Sequence, residues 1–417
     1  MTVDDIPVRL PAADRRARAA VAVLFLTNGA LFANLLPRYP QIKAELGMTN
    51  AVYGLAVAAF PTGALVAGPA AGALVRRFGS ARVAVAGTLL TGAGVLAAGL
   101  AGAVPLFAAA LFLAGAMDAI TDVAQNAHGL RVQRRYGRSI INSFHAIWSI
   151  GAVAGGLLAT GAMALDLTRG QHLTLSGLVF AGAALFALRS CLPGPDDDRP
   201  DGDRPDGEPA HHDLPPEPVR PSFTSRRGTA YALAALVLIA TAGTLVEDAG
   251  NSWAALYLAD ALHASATLAA TGYIALVGAQ FVGRIIGDRL VDRFGRRTVA
   301  RTGGLIAALG MSLALAVPTL PGTVLGFAAA GFGVATLVPA AMHEADSRPG
   351  LKPGSGLTIV SWLMRLGFLI SPPVVGLVAD ATSLRIGLLV VPLAGAATVL
   401  LSGVLQPRRG AGAEPAA

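Results

Sequence analysis

The sequence has few charged residues: Asp, Glu, Lys and Arg make up only 14% of its 417 positions, whereas 54% are hydrophobic. Ordinary soluble domains carry about 25% charged residues, so this chain has too few charges to cover a soluble globule of its size. Apolar runs of about 20 residues recur along its length, and each can cross a hydrocarbon core about 30 Å thick. The sequence therefore predicts a polytopic protein of the lipid bilayer.

Cysteine and lysine are nearly absent. The single cysteine, Cys191, excludes an intramolecular disulfide and a cysteine metal cluster. The two lysines, Lys43 and Lys352, are followed by Ala44 and Pro353, so neither completes the GxxxxGKS or GxxxxGKT loop that cradles phosphates. We therefore expect no ATP hydrolysis, no cofactor and no metal.

The sequence also lacks a complete enzyme motif. The zinc-protease pattern HExxH begins at His343 and Glu344, but Ser347 stands where the second histidine belongs. We therefore expect that the protein is not an enzyme.

The apolar runs form two groups of six predicted spans. A charged, proline-rich segment at 191–227, with DDDRPDGDRPDGEP at its centre, separates them. Such a segment cannot bury enough apolar surface to fold, so we expect a disordered linker between an N-terminal half at 1–190 and a C-terminal half at 228–417. The predicted spans are 19–37, 51–75, 83–101, 105–130, 140–164, 173–190, 228–258, 266–288, 299–317, 322–345, 355–379 and 385–405.

A short basic loop occurs once in each half. The first copy runs from Leu74 to Gly87 and the second from Leu290 to Gly303, and eight of the fourteen positions are identical. An internal repeat of this kind indicates that the halves share one architecture.

The basic residues are distributed very unevenly between the loops. If the amino terminus lies inside, 26 Lys and Arg lie on the inner side and four on the outer side. The positive-inside rule then predicts that both termini and the linker are cytoplasmic. The net charge of +7 therefore reflects topology, and we expect no nucleic-acid partner.

Twelve spans in two halves, a long linker and a repeated Gly-x-x-x-Asp-Arg-x-Gly-Arg-Arg-type loop resemble the major facilitator superfamily. The first copy of the loop departs from the pattern, because Arg76 stands where the acidic residue belongs, and in the second copy Asp288 replaces the leading glycine. The matching residues are Gly72, Leu74, Arg77 and Gly79 in the first copy, and Asp292, Arg293, Gly295, Arg296 and Arg297 in the second.

More narrowly, the segments DVAQNAHG (122–129) and FHAIWSIG (144–151) and the stretch from Glu247 to Trp253 resemble a bacterial branch that includes MosC-like proteins. The resemblance implies an all-α polytopic membrane protein of twelve transmembrane helices in two six-helix halves. It further implies a secondary transporter of the bacterial inner membrane.

An ionisable residue at the centre of a span costs at least about 2.5 kcal/mol on insertion scales, so each one needs a reason. In span 4, Asp118, Asp122, Gln125 and Asn126 share one helical face. They predict a proton or solute site near the midplane, or alternatively a set of partners for the basic loop 131–138.

Span 5 places His145 and Trp148 on one face. The histidine could carry a proton and the indole could stack on a solute ring. Alternatively, His145 is bonded to a carboxylate of span 4.

Span 7 carries the adjacent acids Glu247 and Asp248, with Asn251 one turn from Glu247. Burial disfavours a charged carboxylate, so this pair is the strongest candidate for proton coupling, and which acid titrates is left open. Alternatively, the helix has reached the outer surface by Asp248, which water then solvates. In span 8 we expect Arg284 to pair with Asp288 at i+4.

Span 11 places Trp362 and Arg365 on one face, and Arg365 is a candidate partner for a carboxylate or a solute anion. The residues together predict alternating access around a midplane cavity, with a proton shared among Glu247, Asp118 and His145. The cavity is predicted to be lined by Asp118, His145 and Trp148 from the first half and by Glu247, Asn251, Trp362 and Arg365 from the second.

The cargo is expected to be a small polar solute, because aromatic residues are only 6% of the chain and several charged groups lie in the spans. A drug or metabolite exporter of the same fold and a non-transporting membrane sensor are the alternatives, and the oligomeric state is expected to be a monomer.

The repeated loop predicts a cytoplasmic gate, in which Asp292 faces the amino-terminal end of span 5. Arg76 is expected to pair with Glu344 or Asp346. The predicted gate residues are Arg76, Arg77, Gly79, Asp292, Arg293, Gly295 and Arg296.

Overall fold

The computed structural model describes residues 11–137, 140–194, 226–346, 348 and 355–406. The centre of the linker and both chain ends lie outside the described residues, as do parts of the loops at 138–139 and 347–354. The described residues contain helices and no strand.

Twelve helices are long and apolar enough to cross a membrane, which confirms the predicted number of spans. Several extend past the apolar runs that predicted them, because polar residues continue the helices beyond the hydrocarbon. The helices are α1 (Ala12–Glu45), α2 (Asn50–Phe78), α3 (Ser80–Gly99), α4 (Val104–Tyr136), α5 (Ser143–Ala164), α6 (Arg169–Leu188), α7 (Gly228–Ala261), α8 (Ala266–Phe294), α9 (Arg296–Ala316), α10 (Leu320–Asp346), α11 (Thr358–Ala381) and α12 (Leu384–Val404).

Several of these spans are interrupted. Helix α1 pauses after Ala33, continues as a 3₁₀ turn at Leu36–Arg38 and ends as the short helix Tyr39–Glu45. Prolines lie in the first turns of both short pieces, where a missing N–H leaves no helical bond unmade. Helix α11 is likewise interrupted at Met364: the helix Ser355–Leu363, which contains the start of the span, ends there, and Arg365–Ala381 continues it. These interruptions direct side chains of α1 and α11 into the space between the helices.

Small residues bring neighbouring helices into backbone contact. A Cβ atom on Gly29 of α1 would lie 2.1 Å from the carbonyl oxygen of Trp148, and one on Gly151 of α5 would lie 2.2 Å from that of Leu26. Only glycine therefore fits at either place, as is common where membrane helices cross closely. The crossing places Asn28 directly beside Trp148.

The first six and last six helices meet mainly at one side of the molecule. We call the side on which α1 begins and α12 ends the terminal face, and the opposite side the distal face. Near the distal face, a Cβ atom on Gly54 of α2 would lie 2.2 Å from the Pro372 carbonyl oxygen of α11. One on Gly376 of α11 would lie 2.3 Å from the Asn50 carbonyl oxygen. The two sets of helices are therefore sealed against each other at the distal face.

Two polar contacts reinforce this seal. Lys43 Nζ lies 3.2 Å from Asp260 Oδ2. The carboxylate of Asp380, at the end of α11, accepts hydrogen bonds from the backbone N–H groups of Asn50 (2.9 Å) and Ala51 (2.8 Å) at the start of α2. A carboxylate at a helix N-terminus also interacts favourably with the helix dipole. Asp380 thus connects the two sets of helices through backbone donors.

We expect Asp380→Asn to loosen the distal seal, because the amide carries no charge and donates in place of one acceptor. An exposed carboxylate at a helix N-terminus contributes about 0.3–1 kcal/mol, which corresponds to a population shift of about two- to fivefold. Electron–electron resonance distances between spin labels at Ala44 and Ser265, in a Cys191→Ser background, measure the opening. Asp166→Asn, an equal change of charge on the same face, is the control. An unchanged distance distribution in Asp380→Asn would show that this contact does not hold the seal.

Candidate functional site

A cavity of about 280 Å³ lies between the first six and last six helices. Apolar and aromatic side chains form most of its wall, as in most small-molecule sites. Its polar and charged lining residues are Asn28, Tyr39, Asp118, Trp148, Glu247, Asp248, Asn251, Ser252, Tyr273, Gln280 and Arg365. The distal seal closes it on one side, and the exposed side chains of Asp122, His145 and Arg284 lie towards the terminal face. The cavity therefore opens to the terminal face.

Asn28 of α1 is the centre of the polar network on the side of the first six helices. Its Nδ2 donates to Asp118 Oδ1 at 2.8 Å, and its Oδ1 accepts from Trp148 Nε1 at 2.8 Å and from Gln125 Nε2 at 3.3 Å. One amide therefore fixes a carboxyl group and an indole from two other helices. The sequence reasoning missed Asn28, although an asparagine inside an apolar run was a visible signal.

A second group of polar residues continues from this network towards the terminal face. Asn126 Nδ2 donates to Asp122 Oδ1 at 3.0 Å, and Asn126 Oδ1 lies 3.1 Å from His145 Nε2. His145 therefore reaches the span-4 carboxylate through Asn126 and not directly. Two arginines of the predicted basic loop 131–138 lie in the last turns of α4 and have other partners: Arg135 pairs with Asp14, and Arg131 donates to backbone carbonyls at 192–194. Asp122 and Asn126 thus lie at the mouth of the cavity.

Glu247 carries the polar network on the side of the last six helices. Its Oε2 accepts from Gln280 Nε2 at 2.9 Å and lies 3.5 Å from Arg284. We expected Arg284 to pair with Asp288 one turn away, and that prediction is wrong. The guanidinium instead reaches across to α7, because the packing of α7 against α8 brings Glu247 close to Arg284.

Asp248 lies inside the protein: it lines the cavity and is only 7% exposed. The alternative that water solvates it at the outer surface is therefore wrong. Its Oδ1 accepts from Ser252 Oγ at 3.2 Å. Ser252 in turn accepts, through its carbonyl oxygen, a hydrogen bond of 2.7 Å from Tyr53 Oη of α2. The carboxyl group is thereby linked to the distal seal.

The span-11 candidates divide between two environments. Arg365 lines the cavity, close enough to Asp122 for an electrostatic interaction. Trp362 is 62% exposed and lies outside the cavity wall. Asn251 lines the cavity beside Glu247. Within the described chain, no cluster of His, Cys, Asp or Glu side chains is suited to hold a metal ion.

The two copies of the basic loop have matching local geometry. Gly79 and Gly295 have φ angles of +85° and +80°, a conformation that side chains rarely adopt, which explains why both copies carry glycine there. The guanidinium carbons of Arg77 and Arg293 lie 5.2 and 5.4 Å from the ring centres of the phenylalanines that follow them. The loops therefore end α2 and α8 in the same way.

Within the described part of the chain, the predicted gate pairs of Arg76 and Asp292 are not formed in this conformation. The side chains of Arg76 and Asp292 are exposed. Glu344 is only 3% exposed and lies 3.6 Å from Arg348. Arg297, next to Arg296, donates to the carbonyl oxygens of Leu405 and Gly403, a stabilising role at the end of α12 that the sequence did not indicate. The gate pairs stay predictions for a conformation closed at the terminal face.

Comparison with known proteins agrees with this architecture. The family model described as Major Facilitator Superfamily matches residues 21–289 and 238–416. The chain belongs to this superfamily. It is therefore a multi-pass membrane transporter and not an enzyme.

Two bacterial proteins are similar to this chain over most of its length. An uncharacterized transporter named y4wD from Sinorhizobium fredii is 31% identical over 389 residues, which cover 93% of this chain and 97% of that protein. The membrane protein MosC from Rhizobium meliloti is 27% identical over 396 residues, covering 95% of this chain and 92% of MosC. The predicted resemblance to a MosC-like branch is thereby confirmed.

Solved structures of other transporters share the fold at low sequence identity. A D-xylose–proton symporter matches with a TM-score of 0.69 at 14% identity, over 93% of this chain and 96% of that one. The nucleoside transporter NupG matches with a TM-score of 0.66 at 13% identity, over 94% of this chain and 98% of that one. These likenesses concern the fold alone.

We expect Asn28→Ala to leave Asp118 and Trp148 without their buried partner, which costs about 1–3 kcal/mol of stability. Asn34→Ala is a matched control, since Asn34 is an equally buried asparagine of α1 that bonds Ser176 and His172 away from the cavity. Both variants should unfold at lower denaturant concentration. Only Asn28→Ala should shift the fluorescence of Trp148, measured with the other two tryptophans replaced by phenylalanine. Equal fluorescence in both variants would contradict the central role of Asn28.

Proposed function

We propose that the protein is a secondary active transporter that moves a small polar solute by alternating access, coupled to protons. The observation that carries this proposal is the cavity between the two sets of six helices, sealed at the distal face and open at the terminal face, with polar and charged groups from both sets in a mostly apolar wall. A volume of about 280 Å³ suits a small solute better than a large lipophilic drug.

Alternating access requires contacts between the two sets that can break as units. Those at the distal face are of this kind, because they join α2 to α11 and α1 to α7 through a few hydrogen bonds and one ion pair. The most extensive contacts between helices lie within each set. This division supports rocking of one set against the other around the cavity.

Proton coupling is proposed from the acidic residues of the cavity. Asp118 and Glu247 line it from opposite sets of helices. Asp118 is held by the uncharged amide of Asn28, and Glu247 by the amide of Gln280 with the Arg284 guanidinium 3.5 Å away. Because a low-dielectric site disfavours a charged carboxylate, such groups exchange protons when access to water changes. His145, joined to Asp122 through Asn126, is placed to pass a proton at the cavity mouth.

The proposed setting is the inner membrane of a bacterium, with both termini in the cytoplasm, in accordance with 26 Lys and Arg on the terminal side against four on the distal side. The described conformation is then inward-open. The gate that closes the terminal face would involve Asp292 at the start of α5 and Arg76 with an acid of α10. The transporter is proposed to act as a monomer.

The proton role is tested with Glu247→Gln in proteoliposomes under an imposed pH gradient, with uptake measured for sugars, polyols, amino acids and drugs. We expect gradient-driven uptake to fall by at least about tenfold, while solute exchange without a gradient persists. Glu45→Gln, the same change on the distal face, should leave both activities intact. Gradient-driven uptake that survives in Glu247→Gln would remove Glu247 from the coupling. Absence of flux for every solute would favour a sensor.

The gate is tested with Arg76→Asp. Reversing this charge should repel the acids of α10 and destabilise closure at the terminal face, so exchange should slow by a few-fold, as expected for a loss of about 1 kcal/mol. Arg82→Asp, in the same loop but outside the matching positions, is the control. Unaltered exchange in Arg76→Asp would contradict the proposed ion pair.

A further inference from the structure

Two residues that line the cavity each carry a buried polar atom with no hydrogen-bond partner among the described residues: Tyr39 Oη and Asp248 Oδ2. Tyr39 is 1% exposed and Asp248 is 7% exposed, so bulk water does not solvate them freely. The two side chains are close enough for an electrostatic interaction. Ser371 lies beside Asp248, but its Oγ is not in hydrogen-bond geometry with Oδ2.

The other polar groups of the cavity differ in this respect. The Asp118 carboxyl group is held by Asn28, Glu247 by Gln280, and the indole of Trp148 by Asn28. Buried polar groups in proteins are nearly always paired, so unpaired ones in a cavity indicate where a ligand binds. The unpaired donor and acceptor are thus confined to the distal end of the cavity.

The phenol of Tyr39 can donate and accept, and an occupant that uses its hydrogen must accept from the Tyr39 O–H while it donates to the Asp248 carboxylate. A hydroxyl group does both. An ammonium group can only donate, so it leaves the phenol hydrogen without an acceptor, and an ionised carboxylate has no hydrogen to give to Asp248. We propose that Tyr39 and Asp248 form a subsite that binds a hydroxyl group of a neutral, polyhydroxylated solute. This proposal rests on the transport function proposed above and names its class of cargo.

The subsite also contacts the distal seal. Asp248 Oδ1 is bonded to Ser252, whose carbonyl oxygen accepts from Tyr53 Oη. The Tyr53 ring packs edge-on against Tyr39, with ring centres 5.7 Å apart, and against Trp253 at 5.0 Å. A hydroxyl group bound between Tyr39 and Asp248 therefore touches the side chains that close the cavity. Occupancy of the subsite would stabilise the sealed distal face.

The subsite is tested by thermal unfolding of the full-length detergent-solubilised protein with D-mannitol, D-xylose and D-glucose as probes, and with betaine and acetate as charged comparisons. At least one polyol should raise the midpoint of unfolding in a saturable manner. Tyr39→Phe should weaken that binding by tenfold or more. The chain offers a matched control in Tyr273→Phe, because Tyr273 lines the same cavity but its hydroxyl already donates to the Ala152 carbonyl oxygen at 3.4 Å. That variant should change the affinity by less than threefold.

Tyr39→Phe removes only an unpaired hydroxyl group, so it should fold as stably as the unaltered protein. The proposal is overturned if no polyol binds, if betaine or acetate binds instead, or if the two Tyr→Phe variants behave alike, as they would if the subsite held only water. Proteoliposome flux separates this result from the transport function. Transport of a charged solute with no polyol binding would reject the subsite and keep the transporter. Saturable polyol binding that Tyr39→Phe weakens, without any flux, would keep the subsite and reject transport.

Discussion

A polar group inside a bilayer must find its partner within the protein, and this constraint decides where each intramembrane charge lies. Asp118 is held by Asn28, Glu247 by Gln280 and Arg284, and Asp122 by Asn126. Each partner lies on a face turned towards the cavity or its mouth, because lipid offers no hydrogen bonds. The result is two hydrogen-bonded networks, one on each set of six helices, which leave a space between them. The cavity is thus a consequence of where the polar residues can be satisfied.

The close approach of helix backbones brings side chains of these networks within hydrogen-bond distance of each other. The crossing of α1 and α5 at Gly29 and Gly151 is close enough to bring Asn28 within hydrogen-bond distance of Trp148. A larger residue at either glycine would separate the helices and the two side chains together. The same device joins α2 and α11 at Gly54 and Gly376 across the boundary between the two sets. Glycine therefore allows close packing of helices within one set, at Gly29 and Gly151. It also allows a close contact between the two sets that can separate, at Gly54 and Gly376.

The sequence predicted the twelve spans because long apolar runs have one physical explanation, and helical spacing predicted which polar residues share a face. It could not predict which helix that face meets. Arg284 was assigned to Asp288 because both lie on α8 one turn apart, whereas its nearest carboxylate belongs to α7. Asn28 was missed because an uncharged amide in an apolar run gives a weaker signal than an acid. The sequence left two locations possible for Asp248, inside the protein or in water at the outer surface. The reason is that the end of the hydrocarbon cannot be placed within one helical turn from sequence alone.

The contact between Asp380 and the start of α2 has a consequence for how this protein tolerates change. The donors are backbone N–H groups of Asn50 and Ala51, so almost any side chain at these two positions preserves the bond. Proline alone lacks the donor, although proline is ordinarily favoured in the first turn of a helix. These two bonds therefore place their chemical requirement on the carboxylate of Asp380, whose other partners are the side chains of Thr49 and Asn50. Among related chains, an acid at position 380 together with the exclusion of proline at positions 50 and 51 would be the trace of this arrangement.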